Sequence, residues 1–221
     1  MAMWTAGPLV TAASVIVTPS FGSSATIPVK SILDLKYRTI VRQQHDFSCG
    51  SAAIATLLSY HYESPATEQE VLLAMFEKGN RAAIRRQGFS LLDMQQYLAA
   101  KGYKADGIYA SLDDLARVGI PAIALIEKDG YKHFVVIKGT NSREVLVGDP
   151  AAGLKLYPRA DFEKLWTNGL LFVIRSRPDV GKSHFNGTAQ WSVMLRAPVG
   201  DAIGRDSLSN VTLLRPSAAD F

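Results

Sequence analysis

Residues 131–150, YKHFVVIKGTNSREVLVGDP, decide the fold. Tyr131 to Ile137 reads as a strand, Gly139 to Asn141 as a turn, and Glu144 to Val147 as the returning strand, which runs into Gly148-Asp149-Pro150. Apolar, β-branched runs on either side of a Gly/Asn turn signal an antiparallel hairpin. Within it, His133 is a polar ring among Phe134, Val135, Val136 and Ile137, and both of its nitrogens need partners. Asp149, at the end of the neighbouring strand, can supply one. A lone strand histidine is more often structural, and Gly-Asp-Pro is also a common turn whose carboxylate bonds its own backbone.

Upstream the pattern changes. Tyr37 to Val41 reads as a short strand, and Gly50 to Tyr60 is an unbroken small and apolar run, the signature of a buried helix opened by Cys49. A second helix is expected over Thr67 to Phe76, with Thr67 and Glu70 as a capping box. A third starts at the N-cap Ser90 and stops at Gly102. Then come an extended Tyr103 to Tyr109, a helix at Leu112 to Val118, a strand at Ala122 to Ile126, a helix around Ala160 to Trp166 and a strand at Leu170 to Ile174. Helices first and antiparallel strands later give an α+β class, with N-terminal helices packed against a C-terminal sheet.

The 221 residues, 48% of them hydrophobic, suffice for one sizeable domain with ragged ends. Residues 31–175 are the expected domain. Residues 1–30 are expected to be a flexible segment and residues 176–221 a loosely attached extension, because both are rich in small and polar residues. The run Pro8 to Val17 is too short and interrupted to span a membrane. It has no basic n-region and no A-x-A site, so either a signal peptide has been removed or none existed; Met1-Ala2-Met3 ahead of a Gly/Ser/Thr-rich stretch favours removal, with a cytoplasmic enzyme as the alternative. A net charge of +4, evenly spread, argues against a nucleic-acid partner. A single cysteine excludes an internal disulfide and a CxxC zinc site; neither a metal nor a cofactor is called for.

A thiol nucleophile needs partial exposure, stabilisation of its anion, a base and oxyanion donors. At the opening of a helix, Cys49 meets unpaired amides and the positive end of the dipole. Burial as a small hydrophobe is the competing reading. Four histidines are present. His61 is twelve residues along the same helix, about 18 Å away. His184 falls in the tail and His45 in a loop with little rigidity, which leaves His133. For the oxyanion, Gln43 and Gln44 are both placed to act beside the Cys49 amide. The arginines Arg81, Arg85 and Arg86 near Gly88 read as a solvated surface, with a substrate groove as the alternative.

The residues Gln43-x5-Cys49-Gly50-x-Ala52, His133-Phe134-Val135-Val136 and Gly148-Asp149-Pro150 resemble the C39 peptidases, which remove leader peptides after double-glycine sites. The likeness covers about residues 36–175 and departs at Ser48, where that family usually carries an acidic residue. It implies a papain-like fold, a Cys49, His133 and Asp149 triad, and Gln43 rather than Gln44 in the oxyanion hole. Ser48, Gly50 and Gly88 are then expected at the substrate. The stretches Phe47 to Ala53, Arg85 to Met94 and Val147 to Pro150 more narrowly resemble stand-alone C39-like proteases of functional-amyloid secretion. That implies a periplasmic enzyme with a peptide or protein substrate and secretion-system partners. A catalytically silent leader-binding module and a papain-like amidase or acyltransferase stay open beside it.

Overall fold

The computed structural model describes residues 14–17, 25–28, 32–128, 130–166 and 169–193. Strands β1 (Ser14–Val17) and β2 (Ala25–Pro28) pair antiparallel. The rest of the segment expected to be flexible lies outside the described residues, as does everything after Val193. Among the described residues no helix is long and apolar enough to cross a membrane.

Helix α1 (Ile32–Tyr37) and the turn after it replace the strand expected at Tyr37 to Val41. The Val41 N–H donates to the Thr56 hydroxyl at 2.9 Å, not to a neighbouring strand. Helix α2 (Cys49–His61) is buried on nearly every side, as expected of a helix without a polar face. Helix α3 (Glu68–Lys78) starts at a complete Thr67–Glu70 capping box. Next come α4 (Arg81–Gln87), which was not expected as a separate helix, and α5 (Leu91–Ala100), capped by Ser90 and Asp93.

The sheet comes next: β3 (Ala105–Tyr109), α6 (Leu112–Val118), β4 (Ala122–Lys128), β5 (Tyr131–Thr140), β6 (Glu144–Asp149), β7 (Gly153–Pro158), α7 (Arg159–Leu165) and β8 (Leu170–Ile174). Its order is β3-β8-β4-β5-β6-β7, antiparallel throughout. The β5–β6 turn falls after Thr140, not at Gly139, because the Asn141 carboxamide accepts from the Arg143 and Glu144 amides at 2.8 Å. Strand β7 was not anticipated.

The α+β class holds, but helices cover both faces of the sheet. Ile123, Phe134, Val136, Phe172 and Ile174 pack against α2, α3 and α5, while Ala124, Val135, Ile137, Leu171 and Val173 pack against α6 and α7. Burial on both faces explains why β5 reads as a continuous apolar run instead of an alternating one. The extension is not loose in its first part. Helix α8 (Pro178–Ser183) sets Gly181 against Tyr62, Phe185 is buried, and the Asn186 N–H donates to the Lys138 carbonyl at 3.0 Å. Helix α9 (Thr188–Val193) brings Trp191 onto Ile40, Leu146 and Leu154.

Candidate active site

Cys49 is the first residue of α2. The turn before it is shaped by Ser48, whose hydroxyl accepts from the His45 N–H at 3.1 Å and donates to the His45 carbonyl at 2.9 Å. That hydroxyl is therefore not a cap for α2, and the first amides of the helix are left without a side-chain partner. Donors of this kind, at the positive end of a helix, suit an oxyanion. Cys49 itself is 6% exposed, less open than its role was expected to require. Phe89, Met94 and Phe134 pack around Gly50 beside it, where a Cβ would come within 3.0 Å of Met94 Cε. A larger residue there would make Met94 and Phe89 shift.

From the sheet, β5 brings His133 to the same place, 7% exposed. Strand β6 pairs with β5 through Val136 and Gly148 and ends at Asp149, still paired to Gly153 of β7, which sets its carboxylate beside the imidazole. His133 Nε2 and Asp149 Oδ1 are 2.8 Å apart. The other nitrogen, Nδ1, is buried and has no hydrogen bond of ordinary geometry, yet Cys49 lies near enough to interact with the ring. Burial alone would lower the His133 pKa. Hydrogen bonding to Asp149 and Cys49, together with their charges, outweighs it and raises the pKa from 6.5 to about 9.

Asp149 is a node with several partners. Besides His133, Oδ1 accepts from the amides of Ala151 (2.9 Å) and Ala152 (3.2 Å), and Oδ2 meets Lys155 Nζ at 3.0 Å. Burial favours its neutral form, but the bonds from His133 and Lys155 hold the carboxyl well below the usual carboxylate range. The turn role and the histidine-partner role, alternatives in the sequence, are both filled by this one side chain. Lys155 escaped notice because its placement depends on β7. Tyr131 was missed as well: its ring stacks on His133 with centroids 6.0 Å apart, and its hydroxyl donates to the Asp46 carbonyl at 2.8 Å, tying β5 to the loop before Cys49.

Gln43 is half-buried and Gln44 exposed. The Gln43 N–H donates to the Pro150 carbonyl at 3.1 Å, which joins this segment to the turn after Asp149, and one N–H of its carboxamide donates to the His45 carbonyl at 3.1 Å. The second carboxamide N–H has no partner among the described residues.

The residues expected at the substrate fare differently. Ser48 is fully buried and shapes the turn, and Gly50 is a packing position, so neither is placed as a substrate contact. Gly88 stays half-exposed with φ +79°, a backbone conformation that favours glycine, and its α-carbon faces the Phe47 carbonyl. Arg81 and Arg85 lie over the Phe76 ring at 5.7 and 5.4 Å, as a solvated helix surface does. Of the remaining histidines, His45 is exposed and stacks on Phe47, His184 pairs with Glu63, and His61 is buried against Lys138.

Compared with known proteins, residues 37–178 match the model of the Peptidase C39 family. The chain belongs to the C39 family. The probable functional amyloid protease FapD of Pseudomonas aeruginosa is 43% identical to this C39 chain over 146 residues, 66% of the chain and 64% of that protein, so the alignment spans less than two thirds of the relative's length. The solved peptidase domain of Streptococcus ComA, a bifunctional ABC transporter involved in quorum sensing, superposes with a TM-score of 0.53 at 23% identity, covering 62% of this chain and 96% of that one. A double-glycine-motif protease from an AMS/PCAT transporter, solved with its leader peptide, gives 0.51 at 23% identity and covers 61% and 89%. Both likenesses show that the C39 peptidase-domain fold is present here.

Proposed function

We propose that this protein is a cysteine endopeptidase of C39 type that hydrolyses a peptide bond after small residues such as Gly-Gly in an exported substrate. The observation that carries the reading is the 2.8 Å His133–Asp149 contact beside a cysteine that opens an apolar helix. The Cys49 thiolate adds to the scissile carbonyl, and the negative charge moves to the oxygen. His133 gives its proton to the leaving amine as the C–N bond breaks and a thioester remains. His133 then takes a proton from water, the hydroxide adds to the thioester, and the thiolate leaves with the electron pair of the C–S bond. Asp149 keeps the imidazole oriented throughout. The likeness to the Pseudomonas protein named a probable functional amyloid protease supports a role as a functional-amyloid protease; the proposal extends to a periplasmic location and secretion-system partners.

The test is cleavage of a synthetic peptide with a Gly-Gly junction, followed by mass spectrometry. Cleavage is expected after the second glycine and is expected to stop once iodoacetamide has alkylated Cys49. An intact peptide overturns the double-glycine reading, and cleavage that survives alkylation overturns the thiol mechanism. A silent binding module would retain the peptide uncut, whereas an amidase would act on glutamine side chains instead.

The same reading gives Gln43 a measurable part. Its free carboxamide N–H, with the Cys49 amide, forms the oxyanion hole, so Gln43→Ala is expected to lower kcat by about 10² to 10³ with little change in KM. The alkylation rate of Cys49, which needs no oxyanion hole, is expected to stay near that of the wild type. Equal losses in both would mean that Gln43 only supports the loop.

A further inference from the structure

The interior holds a buried lysine–histidine pair that the chemistry above does not use. Lys138 is fully buried, and its Nζ lies 2.9 Å from His61 Nε2 and 3.0 Å from the Thr39 carbonyl, with the Tyr60 ring at 5.6 Å. No salt bridge reaches Lys138 among the described residues, although an unpaired buried cation is costly. Its position is built in. Ile137 pairs with Val147 and Gly139 with Leu146, so Lys138 is the extra residue of a β-bulge, a device that re-aims one side chain out of the alternation. Gly148 admits the stem, since a Cβ there would come within 3.0 Å of Lys138 Cδ and 3.3 Å of Ile40.

The ammonium is bonded to the turn that leads into the active site. From Thr39 the chain runs through Ile40, packed on Leu146 and Leu154, and Val41, bonded to Thr56, to Gln43, bonded to Pro150 next to Asp149. We propose that Lys138 is a positioning residue for this reaction: its ammonium, held between His61 and the Thr39 carbonyl, fixes the segment that carries Gln43 to the oxyanion. The inference rests on the peptidase reading above.

Two of the three ammonium protons have acceptors, the Thr39 carbonyl and neutral His61 Nε2, and the Tyr60 ring at 5.6 Å adds a cation–π attraction to the charged form. His61 Nδ1 is buried without a hydrogen-bond partner among the described residues, so a charged imidazole would gain no bond there from them. Thr39 and Ile40 face Lys138 from the turn, Tyr60 and His61 from α2, and Gly148 from β6. His184, paired with Glu63, adds a positive influence on His61 from the segment after α8. Burial lowers the Lys138 pKa from 10.5 to about 7. As pH rises through that value the charge-assisted bond to Thr39 weakens, and the hold on the turn weakens with it.

The experiment measures kcat and KM on the Gly-Gly peptide from about pH 5.5 to about 8.5 for wild type and Lys138→Met, which keeps the length of the stem. Wild-type kcat is expected to step down near pH 7. Lys138→Met is expected to show kcat about tenfold lower, KM within about twofold, and no step. Its Cys49 should still be alkylated at the wild-type rate. A variant with wild-type kcat and an unchanged step overturns the inference. If circular dichroism shows Lys138→Met unfolded, His61→Gln carries the test: the step is expected to move while kcat at low pH is retained, and an unmoved step overturns it. If wild type shows no Cys49-dependent cleavage, the functional reading fails and this inference fails with it.

Discussion

His133→Ala is expected to lower kcat/KM for the Gly-Gly peptide by about 10⁴ or more, the scale seen when a member of a catalytic unit is removed. The size reflects its double duty. Without the imidazole, no other histidine among the described residues is placed to protonate the leaving amine or to activate the water that cleaves the thioester. His45 and His184 cannot substitute: the first is exposed and stacked on Phe47, and the second is half-buried and paired with Glu63. Alkylation of Cys49 near neutral pH should slow in the same variant, because the cation that stabilises the thiolate is gone. The fold should survive: losing the imidazole leaves Asp149 its bonds to Ala151, Ala152 and Lys155. A variant with turnover within about tenfold of wild type would remove His133 from the mechanism.

The legibility of each element in the sequence depends on how local its determining chemistry is. The α2 helix, the Thr67–Glu70 box, the Ser90 cap and the β5–β6 hairpin each depend on residues within one turn or one pair of strands, and they were legible. The His133–Asp149 contact was legible for the same reason, since the hairpin alone brings the two together. The strand expected at Tyr37 to Val41 was misread because apolar residues in a short stretch fit either period. Only the distant Thr56 hydroxyl and the pocket for Ile40 decide its course. The extension after Arg175 looked loose from composition, yet Phe185, Asn186 and Trp191 are enough to dock its first part. Lys155, Tyr131 and Lys138 were out of reach. The first depends on the register of an unforeseen strand, the second on a contact 85 residues away in sequence, and the third on a bulge with no signature of its own.

Asp149→Asn is expected to reduce kcat by about 10³ to 10⁴ while leaving KM nearly unchanged, since an amide can hold the ring but cannot balance its charge. The pH behaviour gives the sharper test. In the wild type, burial pulls the His133 pKa down and the bonds and charges of Asp149 and Cys49 push it up to about 9. Asp149 stays ionised throughout the working range, its pKa held low against burial by His133 and Lys155, so it sets neither limb of the profile. The imidazolium needed for leaving-group protonation is lost as pH rises through His133, which places the wild-type alkaline limb near pH 9, as a property of the coupled pair. Removing the carboxylate deletes one of the raising influences and leaves burial in place, so the limb should move down in Asp149→Asn. Stability has the same sign. A histidine raised from 6.5 to about 9 contributes stability that is complete below its unfolded value and lost as pH rises through about 9. Wild type should therefore lose more stability than Asp149→Asn over that interval, measured as denaturant midpoints at a series of pH values. An alkaline limb that stays put in the variant would mean that the Asp149 charge does not govern the imidazole, leaving the carboxylate only its bonds to Ala151 and Ala152 as a turn-former.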